Sequence, residues 1–388
     1  MHEVAANYWL QPIEKKSPWY FPTSFSFWDE QEYAAIRRVI ASDRFTMGPE
    51  VEAFEEEFAA FHKMKYGIAV NSGSSANLIM VAALFAKKEQ PLKRGDQVIV
   101  PALAWSTTYA PLVQSGLRLK VVDCDNTWCS DLPDVTGSQL VVGVSILGNP
   151  APLNFLKIAI ESHGGYLIED NCESLGAYYS TELCGTFGLM NSFSFFHSHQ
   201  ISAIEGGMIL TNDAECAKLC RILRAHGWTR DVEPPTSFEN SYNFTHFGYN
   251  CRPVEMHAAI AREQLKKLKG FIAARQKNLK FFRELAKDLP IKLPILRTLD
   301  PSPFGLPFTV DSLETRHKLV AELAEEGVDS RLPTGGSFTK HNYGAPWRSQ
   351  LTPNADRIHD CGMFLGNAPF PIEEQIGRAV EVMKRVLV

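Results

Sequence analysis

Two side chains capable of acid–base chemistry stand at the ends of apolar segments of this sequence. Asp170 closes the segment LIED, where a carboxylate is costly to bury unless it has a partner. One such partner is a pyridinium nitrogen, which the carboxylate keeps protonated so that the ring can draw electrons. An aspartate that caps the next turn is the alternative. His199 follows the segment SFSFF (192–196), and an imidazole can move protons near neutral pH.

Small residues in NSGSSAN (71–77) join a strand-like segment to an apolar, helix-like one. Backbone N–H groups at the start of that helix, around Gly73, together with the hydroxyls of Ser74 and Ser75, could hold a phosphate. An ordinary N-capped turn has the same pattern. Ser194, in the strand-like FSFF, could add a hydroxyl to a phosphate site or simply pair with the backbone.

Other polar and aromatic residues lie where loops meet predicted elements. Trp105, in PALAWSTTYA, follows a strand-like segment and could stack on a flat cofactor, although an isolated tryptophan more often belongs to the core. Asn250 and Arg252, in GYNCRP, precede a long helix-like segment. They could reach an anion, or they could cap and solvate that helix.

The elements that must position these residues alternate in type along the chain. Apolar residues in EVEAFEEEFAAFH repeat at the spacing of one helix face, with Pro49 at its start. Strand-like segments recur at DQVIVP, LKVVD, LVVGVSIL, GYLIED, NSFSFF and GMILTN. This alternation predicts an α/β domain around a mostly parallel sheet. We expect a large domain over residues 1–255, with an N-terminal extension, and a connecting helix plus a small C-terminal α/β domain over 256–388.

The composition of the 388 residues is that of an ordinary globular protein, with 45% hydrophobic and 21% charged residues. The formal net charge of −5 has no long like-charged runs, so nucleic acid is not an expected partner. No apolar run approaches the length that crosses a bilayer, and the first residues lack a signal-peptide pattern. The eight cysteines include no CxxC pair, so we expect reduced structural thiols, no metal site and a cytoplasmic location.

Taken together and in order, these motifs resemble the DegT/DnrJ/EryC1/StrS sugar aminotransferase family, which uses pyridoxal phosphate. The resemblance runs from FTMGPEVEAFEEEFAAF to FLGNAPFP and includes the phosphate turn, the aromatic residue after a strand, LIEDN and SFSFF…EGG. It implies the aspartate aminotransferase type fold with helices on both faces of the sheet. It also implies a homodimer with active sites at the subunit interface.

The resemblance carries roles onto individual residues. Gly73, Ser74 and Ser194 would hold the phosphate, Trp105 and Glu173 would lie against the ring, and Asp170 would bind its nitrogen. Asn250 would help from the neighbouring subunit. His226, Arg252 and Arg331 would lie near the substrate.

The family's cofactor-binding lysine stands six residues before the glutamate of its GEGG motif, and here that position is His199. No lysine occurs between Lys157 and Lys218, so a shift in alignment does not restore it. Imidazole cannot take the lysine's covalent role. In this position His199 is expected to be catalytic, whereas His197 is expected to be structural.

With LIEDNCESLGA, GTFGLM and RAHGWTR, the sequence resembles a lysine-free branch of the family. The resemblance implies removal of the C3 hydroxyl of a GDP-linked 4-keto-6-deoxy sugar, with the cofactor resting as pyridoxamine phosphate. L-glutamate then restores the amine, and ammonia is released. A second lysine-free branch uses an iron–sulfur cluster, for which no cysteine cluster is found. Two alternatives remain open: a nucleotide-sugar aminotransferase and a non-catalytic relative. The retained Asp170, Trp105 and Ser194 argue against the latter.

Overall fold

The computed structural model describes residues 20–25 and 27–388. The expected N-terminal extension, MHEVAANYWLQPIEKKSPWYFP, lies almost entirely outside the described residues. No helix among the described residues is long and apolar enough to cross a membrane.

A seven-stranded sheet forms the centre of the larger part of the chain. Its spatial order is β1-β9-β8-β5-β4-β2-β3, and only β9 runs against its neighbours. The four pairings from β8 to β3 are parallel. Two short strands, β6 (Tyr178–Tyr179) and β7 (Glu182–Leu183), form a separate hairpin. The strands of the central sheet are β1 (Tyr66–Val70), β2 (Gln97–Pro101), β3 (Arg118–Val122), β4 (Leu140–Val144), β5 (Tyr166–Asp170), β8 (Met190–Ser194) and β9 (Gly207–Thr211).

Helices pack around this sheet and bury its apolar residues. The side chains of β4, β8 and β9 are buried throughout, as expected of strands covered on both faces. The helix Gly73–Ala86 is the most apolar, and its residues pack against the buried strands. The helices of this part are α1 (Glu30–Ser42), α2 (Pro49–Phe61), α3 (Gly73–Ala86), α4 (Ser106–Gln114), α5 (Leu153–Glu161), α6 (Ala214–Arg224) and α7 (Glu255–Leu285).

The C-terminal part has its own small sheet and its own core. Strands β10 (Gly305–Thr309), β11 (Ser330–Arg331) and β12 (Gly362–Gly366) form an antiparallel sheet with β12 in the middle. Apolar residues of this sheet pack with the end of α7 and with two further helices. The helices of this part are α8 (Leu313–Glu325), α9 (Pro353–Cys361) and α10 (Glu373–Leu387).

The predicted fold class is confirmed. Every strand-like segment picked out in the sequence forms a strand of the central sheet, and the helix predicted after Pro49 begins at that residue. Helix α7 begins at Glu255 and runs from the large core into the small one. The boundary after residue 255 remains a prediction, since α7 belongs to both parts.

The cysteines and possible metal ligands are dispersed through the fold. All eight cysteines are free thiols, and Cys172 alone is not fully buried. Among the described residues, no group of three or more histidine, cysteine, aspartate or glutamate side chains is placed to hold a metal ion.

Candidate active site

A cavity of about 340 Å³ opens at the carboxyl ends of the parallel strands, where open α/β sheets bind their ligands. Its wall includes the start of α3, the residues that follow β2, β5 and β8, and a loop of the C-terminal part that follows β11. The sequence-predicted residues that line it are Gly73, Ser74, Trp105, Asp170, Glu173, Ser194, His199 and Arg331. The larger sheet and the C-terminal part together therefore enclose one site.

The N-terminus of α3 forms one end of the cavity. Ser72 caps the helix, since its Oγ accepts a hydrogen bond from the backbone N–H of Ser75 at 3.0 Å. The hydroxyls of Ser74 and Thr107 are 2.6 Å apart. A Cβ on Gly73 would lie 2.6 Å from Cys172 Sγ and 2.7 Å from Ser194 Cβ, so only glycine fits. Free N–H groups, hydroxyls and the positive end of the helix dipole make this end an anion site.

Asp170 ends β5 and lies buried beneath the cavity. Its Oδ2 accepts hydrogen bonds from Asn77 Nδ2 at 2.8 Å and Thr108 Oγ1 at 2.7 Å. Its Oδ1 accepts only the backbone N–H of Cys172, at 3.2 Å. Ser192 fixes the amide of Asn77 by donating to its Oδ1 at 2.6 Å. The carboxylate is therefore held in one orientation, and Oδ1 retains capacity for a cationic partner.

Glu173 follows Asp170 by three residues and lines the same cavity. Its Oε2 accepts the backbone N–H of Leu147 at 3.0 Å. Burial, with a smaller contribution from the negative charge of Asp170, raises the pKa of Glu173 to about 7. Near neutral pH this carboxyl can therefore either donate or accept a hydrogen bond.

Trp105 covers the opposite side of the cavity. It directly precedes α4 and keeps 57% of its surface exposed in the single chain. A Cβ on Gly335 would lie 3.6 Å from its ring, so the loop after β11 passes close to the indole. The indole therefore offers an exposed flat face beside the cavity.

His199 lies in the turn that follows β8. Its ring makes edge contacts with Phe304, at 5.1 Å between ring centroids, and with Phe196, at 5.9 Å. Its Nδ1 is buried without a hydrogen-bond partner among the described residues. Burial lowers the pKa of His199 to about 4, and the positive charge of Arg275 adds to the effect. The imidazole is therefore neutral at pH 7 and able to accept a proton.

His197 occupies a different environment from His199. It is exposed, and its Nε2 lies 3.2 Å from Ser24 Oγ. It does not line the cavity. The two histidines of this turn therefore differ in exposure, and their predicted roles, catalytic for His199 and structural for His197, remain predictions.

Asn250, Arg252 and His226 do not line the cavity of a single chain. Asn250 and His226 are exposed, and Asn250 Oδ1 accepts a hydrogen bond from Arg252 Nε at 3.2 Å. They lie at the base of an exposed segment, residues 228–250, that is rich in aromatic side chains. Any role of these three residues at the cavity would require a second chain.

Several residues that shape the site were not predicted from the sequence. Asn77 and Thr108 fix Asp170, while Ser198, Phe196 and Phe304 surround His199. Asn77 gave a signal that was overlooked, because it is a polar residue in an otherwise apolar helix and a buried amide needs partners. Phe304 gave none, since it reaches the cavity from the distant C-terminal part. Among residues 20–25 and 27–388, none of those that line the cavity is a lysine.

Comparisons with known proteins agree on one family. The sequence profile of the DegT/DnrJ/EryC1/StrS aminotransferase family matches residues 27–384. The GDP-4-keto-6-deoxy-D-mannose 3-dehydratase of Escherichia coli O55:H7 is 41% identical over 385 residues, which cover 94% of this chain and 99% of that protein. The dTDP-4-dehydro-2,6-dideoxy-D-glucose 3-dehydratase of Saccharopolyspora spinosa is 32% identical, covering 91% of this chain and 83% of that protein.

Solved structures show the same fold. The Escherichia coli GDP-4-keto-6-deoxy-D-mannose 3-dehydratase with bound hydrated pyridoxal phosphate superposes with a TM-score of 0.89 at 39% identity, covering 94% of this chain and 99% of that one. A structure with a trapped PLP-glutamate geminal diamine covers 94% and 100%, with a TM-score of 0.89 at 39% identity. A variant with a histidine changed to asparagine holds GDP-perosamine and covers 94% and 100%, with a TM-score of 0.88 at 38% identity.

Proposed function

Because this chain belongs to the DegT/DnrJ/EryC1/StrS aminotransferase family, we propose its function from what its cavity shares with that family and from what it lacks. The enzyme is a pyridoxal-phosphate-dependent 3-dehydratase of GDP-4-keto-6-deoxymannose, with L-glutamate as amino donor. The observation that carries the proposal is His199, a half-buried imidazole that is neutral at pH 7, in a cofactor cavity whose described lining residues include no lysine.

The residues of the cavity fit pyridoxal phosphate and pyridoxamine phosphate. The start of α3, with Gly73 and Ser74, and the hydroxyl of Ser194 would hold the phosphate. Asp170 Oδ1, which has one backbone donor, would bind the ring nitrogen. Trp105 and Glu173 would lie against the ring. When bound, the cofactor supplies an amine that condenses with the C4 ketone and a ring that stabilises negative charge.

Asp170 would keep a proton on the ring nitrogen throughout the reaction. Its Oδ2 is already saturated by Asn77 and Thr108, so the carboxylate does not rotate when the charge of its partner changes. A fixed counter-charge of this kind stabilises the transition state without reorganisation.

His199 would transfer the protons. As a neutral imidazole it would take up the proton released at the carbon beside the cofactor amine and would return it to the hydroxyl oxygen that leaves C3 of the sugar. Phe196 and Phe304 pack edge-on against the ring and shield part of it from water. After release, hydrolysis yields ammonia and a 3-deoxy-4-keto sugar, and the same His199 would serve the glutamate half-reaction.

The variants studied in the relative support this assignment. One changes a histidine to asparagine, and another changes a histidine to lysine together with a serine to asparagine. This chain carries a serine and a histidine side by side at Ser198 and His199, at the edge of the proposed cofactor site.

The remaining assignments of the proposal concern partners and setting. Arg331 lines the cavity and would bind an anionic group of the sugar nucleotide or of glutamate. Asn250, Arg252 and His226 would reach the cavity of a neighbouring subunit, which makes the enzyme a homodimer. The free thiols fit a reducing, cytoplasmic setting, and the 3-deoxy product fits colitose synthesis for lipopolysaccharide.

The test is the mass of the sugar product after the purified protein is incubated with pyridoxal phosphate, glutamate and GDP-4-keto-6-deoxymannose. We expect loss of the C3 oxygen with no gain of nitrogen, and release of ammonia. A sugar that gains nitrogen would make the protein an aminotransferase. An unchanged sugar, with the cofactor bound, would indicate a non-catalytic relative.

A further inference from the structure

Helix α7 carries a buried guanidinium near its middle. Arg275 is 1% exposed and ranks among the largest fully buried side chains of the described residues. Its Nε donates to the backbone oxygen of Asn367 at 3.2 Å, and its Nη2 donates to the backbone oxygen of His199 at 3.3 Å. Its Nη1 has no partner among the described residues, and no acidic side chain there bonds to the group.

A buried cation without a carboxylate is unfavourable, so its retention calls for a compensating role. Burial lowers the pKa of Arg275 to about 10, which still leaves the guanidinium charged at neutral pH. Both of its acceptors are backbone carbonyls. The side chain therefore fixes the course of the main chain, and one of the two points that it fixes is His199.

Asn367, whose backbone oxygen is the second acceptor, is itself held by hydrogen bonds. Asn367 follows β12, and its Nδ2 donates to the backbone oxygens of Arg275 and Pro303, both at 3.1 Å. Asn278, three residues after Arg275 on α7, donates to Asn367 Oδ1 at 3.1 Å. Arg275 thus joins the turn that carries the histidine to a rigid junction between α7 and the small sheet.

We propose that Arg275 is a positioning residue for the reaction, which holds the His199 turn against the junction of α7 and β12 and places a fixed positive charge behind the imidazole. This inference rests on the proposed function, because it assumes that His199 moves the protons. It adds a residue outside the cavity lining that sets both the position and the charge state of that base.

The charge of Arg275 acts together with the other groups that face His199. Arg275 comes from α7 and His197 from the same turn, and both disfavour the imidazolium. Asp170, which ends β5, and Glu173, three residues later, face the same cavity. Removal of the Arg275 charge therefore moves the pKa of His199 upward, and the acidic limb of the rate profile moves to higher pH with it.

Arg275→Met removes the charge and both hydrogen bonds. Arg275→Lys keeps the charge but loses the fork, that is, the planar guanidinium that donates to two carbonyls at once. For Arg275→Met we expect kcat to fall about 10- to 100-fold with the KM for glutamate nearly unchanged, because a small displacement of the base slows proton transfer. Arg275→Lys should recover part of kcat and keep the acidic limb of the wild type. Asn278→Ala is the matched control, since Asn278 bonds to the same junction but not to His199.

The second readout does not need turnover. Proton titration of His199 is followed by NMR in protein labelled with ¹³C-histidine and free of cofactor, and its resonance is assigned with a His199→Asn sample. We expect the pH midpoint of the His199 titration to rise in Arg275→Met and to be unchanged in Arg275→Lys and Asn278→Ala.

The proposal is overturned if Arg275→Met equals Asn278→Ala in kcat per folded molecule, or if the His199 midpoint does not move. If Arg275→Met does not fold, the Arg275→Lys variant decides, because an unchanged kcat there excludes a role for the fork. A wild-type enzyme that releases no 3-deoxy sugar would instead refute the proposed function and leave the NMR result interpretable.

Discussion

His199, the proposed base, cannot form the stable imine with a carbonyl that a lysine amine forms. The ring is neutral at pH 7 because burial opposes its charged form, and two phenylalanine rings enclose it. A lysine amine in the same place would be able to capture the cofactor and deliver a proton to C4. The imidazole restricts the outcome to proton transfer, which favours loss of the C3 hydroxyl.

His199→Asn should abolish proton transfer but leave the anion site and Asp170 intact. We expect kcat to fall at least about 100-fold, as for loss of a general base, while the absorbance titration with pyridoxal phosphate stays near that of the wild type. His197→Asn is the control because His197 is exposed outside the cavity, and its turnover should stay within about twofold. Equal losses in the two variants would exclude the special role of His199.

Single residues were predictable where their chemistry is unusual for their surroundings. Asp170 stood out because a carboxylate that ends an apolar strand needs a partner, and His199 stood out because it occupies the position of the family's lysine. Thr108 and Phe304 did not stand out, because a threonine and a phenylalanine are ordinary in a helix and a loop. Their roles depend on contacts between segments far apart in the chain, and local pattern carries no information on those contacts.

At the scale of elements, helix α3 is the one whose position most directly sets the site. Its first turn packs so closely on the ends of β5 and β8 that Gly73 has no room for a side chain. The anion site therefore depends on backbone contact rather than on any charged residue. A shift of the helix by a few tenths of an ångström would change the distance between its N–H groups and a bound anion.

Gly73→Ala should push the start of α3 away from Cys172 and Ser194. We expect the affinity for pyridoxal phosphate to fall about tenfold or more, since the N–H groups and the helix dipole act only at short range. Gly270→Ala on α7 is the control, because a Cβ there meets nothing within 4 Å and alanine favours a helix. Fluorescence titration with the cofactor measures both, and similar affinities in the two variants would contradict the expectation.

The types and approximate ends of the elements followed from periodicity, but their neighbours in space did not. Each strand of the central sheet was recognisable from its apolar residues. That β9 inserts between β1 and β8 with reversed direction depends on the path of the chain from residue 195 to 206, which has no periodic pattern. The small sheet was expected only as a C-terminal α/β domain, since its strands are short and interrupted by loops.

At the scale of the whole molecule, the most prominent feature is the exposed aromatic segment 228–250. Phe247 and Phe238 are almost fully exposed, and Trp228 stacks on Tyr242 with ring centroids 5.3 Å apart. A patch of this kind typically marks a protein interface. Asn250 lies at the end of this segment. In the proposed homodimer it would therefore lie near the cavity of the neighbouring subunit.

Phe247→Asp combined with Phe238→Asp should shift the proposed homodimer to a monomer. Two buried charges without partners would oppose association, and activity should fall with dimer content. Light scattering after size-exclusion chromatography measures the molar mass. Leu299→Asp is the control, because this leucine is equally exposed in a different loop. A wild-type protein of one chain mass would refute the homodimer.

The stability of the molecule should depend on pH through His62. Burial lowers its pKa in the folded state to about 4, while the unfolded chain takes up the proton near 6.5. The unfolded state thus binds more protons between these values, so stability is full above pH 6.5 and falls by about 3 kcal/mol toward pH 4. His199 contributes in the same direction.

His62→Phe should remove much of this dependence, because the ring contacts of His62 are with Phe58, Phe61 and Phe193. Urea unfolding at pH 7 and pH 5 measures the free energy of unfolding. The difference between the two pH values should shrink in the variant. An unchanged difference would assign the acid sensitivity to other groups.

The reversed strand β9 also has a consequence for how the protein is made. An isolated bridge joins Ser72, at the start of α3, to Gly206, which directly precedes β9, and β9 pairs with β1 along its full length. When only the first half of the chain has left the ribosome, the parallel strands up to β5 are present, but β9 and the bridge between Ser72 and Gly206 are not. The catalytic centre is therefore assembled late in synthesis, and a nascent chain truncated before residue 206 should have no affinity for the coenzyme.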